Sequence, residues 1–335
     1  MDINNAAWVD GPGENVRVGV HKLRQPGPGE VLIRNHAIAV NPFDCLQHLT
    51  GNFVDYWPFI FGYDLAGEVL LVGDGVSGFV SGQRVLGQAL KQSLENTAFQ
   101  EHTIVHADLV CPIPESMKYE EACVIPLALS TAAAGLYQEG YLALPLPRVE
   151  VERLDKTLLV WGGSSSVGSA VIQLAVASGF DVVTTASTRN FDHCRKLGAK
   201  VVFDYSSSSV INDLIRTLKS ERKVIGAFSA VSLPSNIIST VAQVLSEVGG
   251  GFVATTKPPP EDLPINVSAK MVFAADYAGR EGKKLFQDFL PTALRTGRYH
   301  ALPRPHVVGH GLRSVQVGVE VLSKGVSAEK VVITI

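Results

Sequence analysis

At 335 residues, 46% of them hydrophobic and 18% charged, the chain can bury a large core, and its length corresponds to about two domains. A net charge of −3, from 29 basic and 32 acidic side chains, argues against a nucleic-acid partner. No apolar run is long enough to cross a bilayer and no leader-like pattern opens the chain. The four cysteines (Cys45, Cys111, Cys123, Cys194) form no Cys-x-x-Cys pair, so a reduced, cytoplasmic setting without membrane partners is expected.

In chain order, the N-terminal part alternates short β-type runs (31–33, 65–72, 84–86, 102–105) with Gly27, Gly29, Gly73, Gly75, Gly78 and Gly82. Many short strands with glycine turns predict a β-barrel-like domain. Residues 122–137 read as a buried helix interrupted by Pro126 and Ser130. From residue 158 the texture changes. Apolar strands are predicted at 158–161, 181–186, 201–203, 224–228, 251–255 and 271–275. Helices are predicted at 191–197, 209–218 and 236–246, and a further one after the first strand. Strands alternating with helices over short connections predict a parallel, doubly wound sheet. A helix at 314–322 and a β-branched strand at 331–335 return to the first texture. The fold class is therefore α/β, a doubly wound domain beside a β-barrel-like domain that the chain re-enters at its end.

The sharpest motif follows the first of those parallel strands and reads Gly163-x-Ser165-x-x-Gly168. Gly163 permits a tight turn out of the strand, and Gly168 lets the following helix pack close to the sheet. The amides of Ser164, Ser165, Ser166 and Val167 are then placed to meet a pyrophosphate at a helix start. A serine stands where the usual fingerprint has its middle glycine. A carboxylate normally ends the second strand, to accept from the ribose hydroxyl. Here the segment is Thr184-Thr185-Ala186-Ser187-Thr188-Arg189, without an acid. Ser187 and Arg189 suit a ribose phosphate instead, so NADPH is expected over NADH. The alternative for Arg189 is a solvated helix-start arginine.

The order of motifs resembles the medium-chain dehydrogenase/reductase superfamily. It is carried by Asn41-Pro42-Phe43-Asp44, the segment from Gly62 to Val69, Gly82-Gln83-Arg84-Val85, the helix beginning at Pro126, the glycine turn, and the closing Glu329-Lys330-Val331-Val332. The turn from Val160 to Gly168 is especially similar to that of fungal enoyl reductases serving polyketide synthases in trans. The resemblance implies a GroES-like catalytic domain at 1–119 and 276–335, around a Rossmann NADPH-binding domain at 120–275. It places Asn41 and Thr131 against the nicotinamide end and Tyr205 beside the 2′-phosphate. Zinc-dependent relatives carry a cysteine where this chain has Asn41 and a histidine where it has Tyr63, so no catalytic zinc is expected.

Without a Lewis acid, the fitting chemistry is hydride addition to the β-carbon of an enone or enoyl thioester, with a donor for the developing oxyanion and a proton for the α-carbon. Tyr63, expected to turn its hydroxyl to the substrate, and Tyr56, by likeness to mitochondrial-type enoyl reductases, are the catalytic candidates. Each has a packing role as its alternative. Cys45 and Leu46 follow Asp44 where many relatives carry an aromatic and a lysine. That departure leaves open a redox-neutral catalyst, an NADPH-binding protein, or a quinone reductase. The expected partners are a small-molecule or carrier-bound substrate and a polyketide synthase, with the chain a monomer or homodimer.

Overall fold

The computed structural model describes residues 3–90, 93–231 and 234–335, with backbone alone at 276–280. In chain order the first elements are β1 (Ile3–Val9), β2 (Arg17–Lys22), β3 (Glu30–Ala39), α1 (Pro42–Thr50), β4 (Phe59–Ile60), β5 (Asp64–Val72), β6 (Arg84–Gln88), β7 (His102–His106), β8 (Val110–Pro112), α2 (Tyr119–Ala122) and α3 (Pro126–Tyr137). There follow β9 (Thr157–Trp161), α4 (Ser166–Ala177), β10 (Asp181–Ala186), α5 (Phe191–Lys196), β11 (Val201–Asp204), α6 (Val210–Ser220), β12 (Val224–Ser229), α7 (Ile237–Glu247), β13 (Gly251–Thr255) and β14 (Val267–Met271). The last are α8 (Ala274–Lys283), α9 (Leu290–Arg295), β15 (Arg304–His310), α10 (Ser314–Ser323) and β16 (Glu329–Thr334). Two compact units result. One comprises Met1–Leu127, Gly282–Thr296 and Ala301–Ile335; the other comprises Ala128–Glu281 and Gly297–His300.

The second unit holds a six-stranded, all-parallel sheet in the order β11-β10-β9-β12-β13-β14. Its central strands are buried on both faces, which is why β9 reads as an unbroken apolar run. The α6 helix forms because Val210, Leu214 and Leu218 recur every four residues and bury one stripe against Leu159, Val183 and Val241. The strand order reverses between β9 and β12, and the carboxyl ends there form the crevice in which such sheets take ligands.

The first unit is built on a sheet ordered β15-β16-β3-β5-β6-β8, with β7 also on β3. The ten-residue β3 pairs with β5 along its length, with β7 over its first half and with β16 at its end, where Val332 faces Ala39. A smaller sheet, β2-β1-β4, completes it. The α1 helix leaves β3 directly, and its N-terminus is set by Pro42 at the first turn.

Two expected elements differ. The strand expected at 271–275 lies at Val267–Met271 instead. Its partner β13 ends at Thr255, which faces Met271, so pairing is exhausted there and α8 begins three residues later. The stretch 122–137 does divide at Pro126, which has no N–H to continue α2 and starts α3, but the expected interruption at Ser130 is absent, since α3 runs unbroken from Pro126 to Tyr137. Among the described residues, no helix is long and apolar enough to cross a membrane.

Candidate functional site

In the second unit, the glycine turn between β9 and α4 is closely built. A side chain at Gly163 would come within 2.3 Å of Thr184 Oγ1, and one at Gly168 within 2.1 Å of the Gly162 carbonyl. Ser165 caps α4, its Oγ accepting from the Gly168 amide at 3.0 Å and donating to the Gly162 carbonyl at 2.9 Å. Helix geometry leaves the first amides, those of Ser166 and Val167, without an intrahelical acceptor, and both residues are half-buried. Ser164 Oγ accepts from Asn190 Nδ2 at 3.3 Å. Across the switch point, Ser229 lies beside Trp161, and its buried Oγ has no hydrogen-bond partner.

Beyond β10, the Ser187 and Tyr205 hydroxyls lie 2.8 Å apart, with Tyr205 half exposed. Arg189 is exposed, with no bond to another side chain among the described residues. Thus Gly163, Ser164, Ser165, Ser166, Val167, Gly168, Ser187, Arg189 and Tyr205 gather at the carboxyl ends of β9, β10 and β11. Thr131 sits on α3 of the same unit. Tight glycines, uncommitted amides, an unpartnered hydroxyl and a hydroxyl–guanidinium rim fit a dinucleotide.

In the first unit, Asn41, Asp44, Asp64 and Lys330 form a buried cluster. Lys330 is 3% exposed, and its ammonium lies 2.8 Å from Asp64 Oδ2 while donating to Asn41 Oδ1. Asn41 Nδ2 donates to the same Asp64 oxygen at 2.8 Å. The other oxygen, Oδ1, accepts from the Leu127 amide at 2.6 Å. Asp44 closes the start of α1, accepting from the Asn41 amide at 2.8 Å and from the Gly62 amide at 3.1 Å. Full burial, together with the neighbouring Asp64 charge, pushes the Asp44 carboxyl up to about 7. So Asn41 is a hydrogen-bonded hub whose oxygen and one amide proton are already engaged.

Tyr63 lies against this cluster, 9% exposed, and its hydroxyl donates to Gln47 Oε1 at 3.1 Å. The expectation of a hydroxyl presented openly is corrected: β5 begins one residue later, and the ring packs against Phe43, with centroids 5.7 Å apart. Burial, then the nearby Asp44 charge, raises the Tyr63 hydroxyl well above its ordinary value, so it stays protonated. Gln47 Nε2 is buried and has no partner. Tyr56 is not brought to Tyr63. It is half exposed and touches Phe59 edge-on, with no hydrogen bond among the described residues.

Lys330, Asp64 and Gln47 were not singled out from the sequence. The available signal was a lysine directly before the apolar run of β16 and an aspartate opening the buried run of β5. The residues do not fit a zinc ion. Among the described residues no three His, Cys, Asp or Glu side chains converge, and the Asp44 and Asp64 oxygens are already taken by N–H groups and an ammonium.

Two family models match: an alcohol dehydrogenase GroES-like domain over residues 27–115 and a zinc-binding dehydrogenase domain over 166–278. Dehydrogenase azaJ of Aspergillus niger is 38% identical over the whole of both chains. Trans-enoyl reductase himH of Aspergillus japonicus is 38% identical over 99% of this chain and 98% of its own. In fold, the chain is similar to the CurK enoyl reductase (TM-score 0.77, 18% identity, 99% of each chain). It is also similar to mycobacterial Rv1454c complexed with NADPH (TM-score 0.74, 23% identity, 99% of this chain and 100% of that one). With a GroES-like unit, a parallel nucleotide-type sheet and full-length relatives of this kind, the chain belongs to the medium-chain dehydrogenase/reductase family of nicotinamide-dependent oxidoreductases.

Proposed function

We propose that the protein is an NADPH-dependent reductase of an activated carbon–carbon double bond, acting without a metal on an enoyl thioester or enone of polyketide type. The substrate is free or held on the carrier of a polyketide synthase. The observation that carries the coenzyme choice is the end of β10, where Ser187, Tyr205 and Arg189 offer two hydroxyls and a guanidinium and no carboxylate. Likeness to himH, named a trans-enoyl reductase, supports the reaction class.

A reduced nicotinamide, when bound, supplies the hydride for the β-carbon. The chain's own residues do the rest. The amides of Ser164, Ser166 and Val167 would hold the pyrophosphate over the turn that Gly163, Ser165 and Gly168 shape, and Arg189, Ser187 and Tyr205 would hold the ribose phosphate. Thr131 and Asn41 orient the nicotinamide end, Asn41 through the amide proton that Asp64 does not use. The Tyr63 hydroxyl keeps its proton at neutral pH and is suited to donating a hydrogen bond to the enolate oxygen as charge develops there. That donation requires its bond to Gln47 to be exchanged for one to substrate. Tyr56, half exposed beside Phe59, is the alternative proton source.

The test follows the absorbance of reduced coenzyme with a panel of enoyl thioesters, enones and quinones. Oxidation of NADPH with a thioester or enone is expected, and Tyr63→Phe should lower kcat by roughly tenfold to a hundredfold. Tight NADPH binding without oxidation by any acceptor would favour a redox-neutral role, and oxidation by quinones alone would favour a quinone reductase.

A further inference from the structure

We infer that the Gln47 carboxamide is a two-position element that decides where the Tyr63 proton points. In one position its carbonyl oxygen holds that proton inside the protein. In the other its amide supports the phenol oxygen from behind and leaves the proton free for a substrate oxygen. The inference rests on the reductase reading and adds a positioning residue to it.

The Tyr63 hydroxyl donates to Gln47 Oε1 at 3.1 Å, and Gln47 is 1% exposed. The other end of the carboxamide, Nε2, is buried without a partner, a costly state for a donor. Asp44, one turn back on α1, does not supply the missing acceptor, since its two oxygens are taken up by the Asn41 amide at 2.8 Å and the Gly62 amide at 3.1 Å. Among the described residues nothing but Tyr63 bonds the carboxamide, so it can turn about its last bond without breaking any other hydrogen bond. Its surroundings are fixed. The main-chain carbonyl of Gln47 accepts from the Gly51 amide at 2.8 Å, which holds the end of α1, and the Tyr63 ring packs on Phe43 with centroids 5.7 Å apart. A half-turn puts Nε2 where Oε1 lies, within reach of the phenol oxygen, which can accept. Each position makes one hydrogen bond to Tyr63, so the two are close in free energy, and a ligand oxygen that takes up the hydroxyl proton selects the second. No proton is transferred in the exchange: Tyr63 keeps its own and redirects it. An N–H aimed at the phenol oxygen also strengthens the hydroxyl as a donor, because hydrogen bonds in a chain polarise one another.

The experiment uses the full chain as wild type, Gln47→Met, Tyr63→Phe and the double variant, with NADPH and an enoyl thioester. Gln47→Met should lower kcat about tenfold with KM within about threefold of wild type, because the phenol loses its support while the substrate contacts remain. In the Tyr63→Phe background the same change should alter kcat by less than about twofold, since no proton is left to direct. A second readout needs no turnover. With glutamine labelled with heavy nitrogen, the Gln47 side-chain amide signal is assigned in NMR spectra by its loss in Gln47→Met, or in Gln47→Glu if the methionine variant does not fold. Oxidised coenzyme with a saturated acyl thioester should shift that signal downfield in wild type and leave it in place in Tyr63→Phe. The inference is overturned if the two substitutions add in full, if Gln47→Met keeps the wild-type kcat, or if bound ligand leaves the amide signal unmoved. Failure of the reductase reading looks different: wild type then neither oxidises NADPH nor binds the thioester, and the inference falls with it.

Discussion

Asp44 is a carboxyl group held away from water with two amides aimed at it. Raised from 3.8 to about 7, it binds its proton more tightly in the folded chain than in the unfolded one. The folded state therefore holds more protons between those two values, and stability falls as pH rises through that window, by about 4 kcal/mol in all. Asp44→Asn removes the titration but leaves one of the two amides without an acceptor. Denaturation across pH 4 to 8 should show the variant about 1–3 kcal/mol less stable at low pH, with a flatter profile than wild type. The sequence placed Asp44 in the Asn41-Pro42-Phe43-Asp44 motif, and its bond to the Asn41 amide closes the start of α1. Nothing local marked Lys330 as the partner of Asn41, which is 289 positions away. That meeting exists only because β16 pairs with the end of β3. In the second unit, Arg189→Ala should weaken NADPH binding about tenfold and leave NADH unchanged, checked by fluorescence titration with each.

Among the elements, the turn from β9 into α4 is the most constrained. The spacing of Gly163 and Gly168 was legible because it follows from backbone contact: a methyl at 168 meets the Gly162 carbonyl, which cannot swing away as a side-chain end can. Gly168→Ala should therefore cost more than about 2 kcal/mol in chemical denaturation and abolish coenzyme binding. Ser165→Ala removes a cap without a clash and should cost about 1 kcal/mol with the fold retained. Alternation and apolar runs located most strands of both sheets. They misplaced β14 because the apolar residues just past Met271 look like a strand, while its real extent is set by where β13 ends. The direction of the Tyr63 hydroxyl was hidden for a similar reason, since it depends on Gln47, a residue on α1 with no sequence signature of its own.

At the scale of the whole molecule, the fold was legible from the order of motifs, and the two compact units carry two separate parts of the chemistry. One presents the glycine turn, the helix-start amides and the Ser187, Tyr205 and Arg189 side chains that the proposed coenzyme would meet. The other presents a buried interior in which the Lys330 ammonium faces Asp64 and the Tyr63 hydroxyl keeps its proton. Among the described residues no three metal-ligating side chains converge, so the proposed reaction is reduction of an already polarised double bond rather than oxidation of a plain alcohol. The most direct measurement supplies NADPH carrying deuterium at the nicotinamide C4 together with an enoyl thioester, and reads the product by NMR and mass spectrometry. The account predicts deuterium at the β-carbon and a solvent-derived proton at the α-carbon. Unlabelled product, or a coenzyme that keeps its deuterium while substrate is consumed, would contradict it.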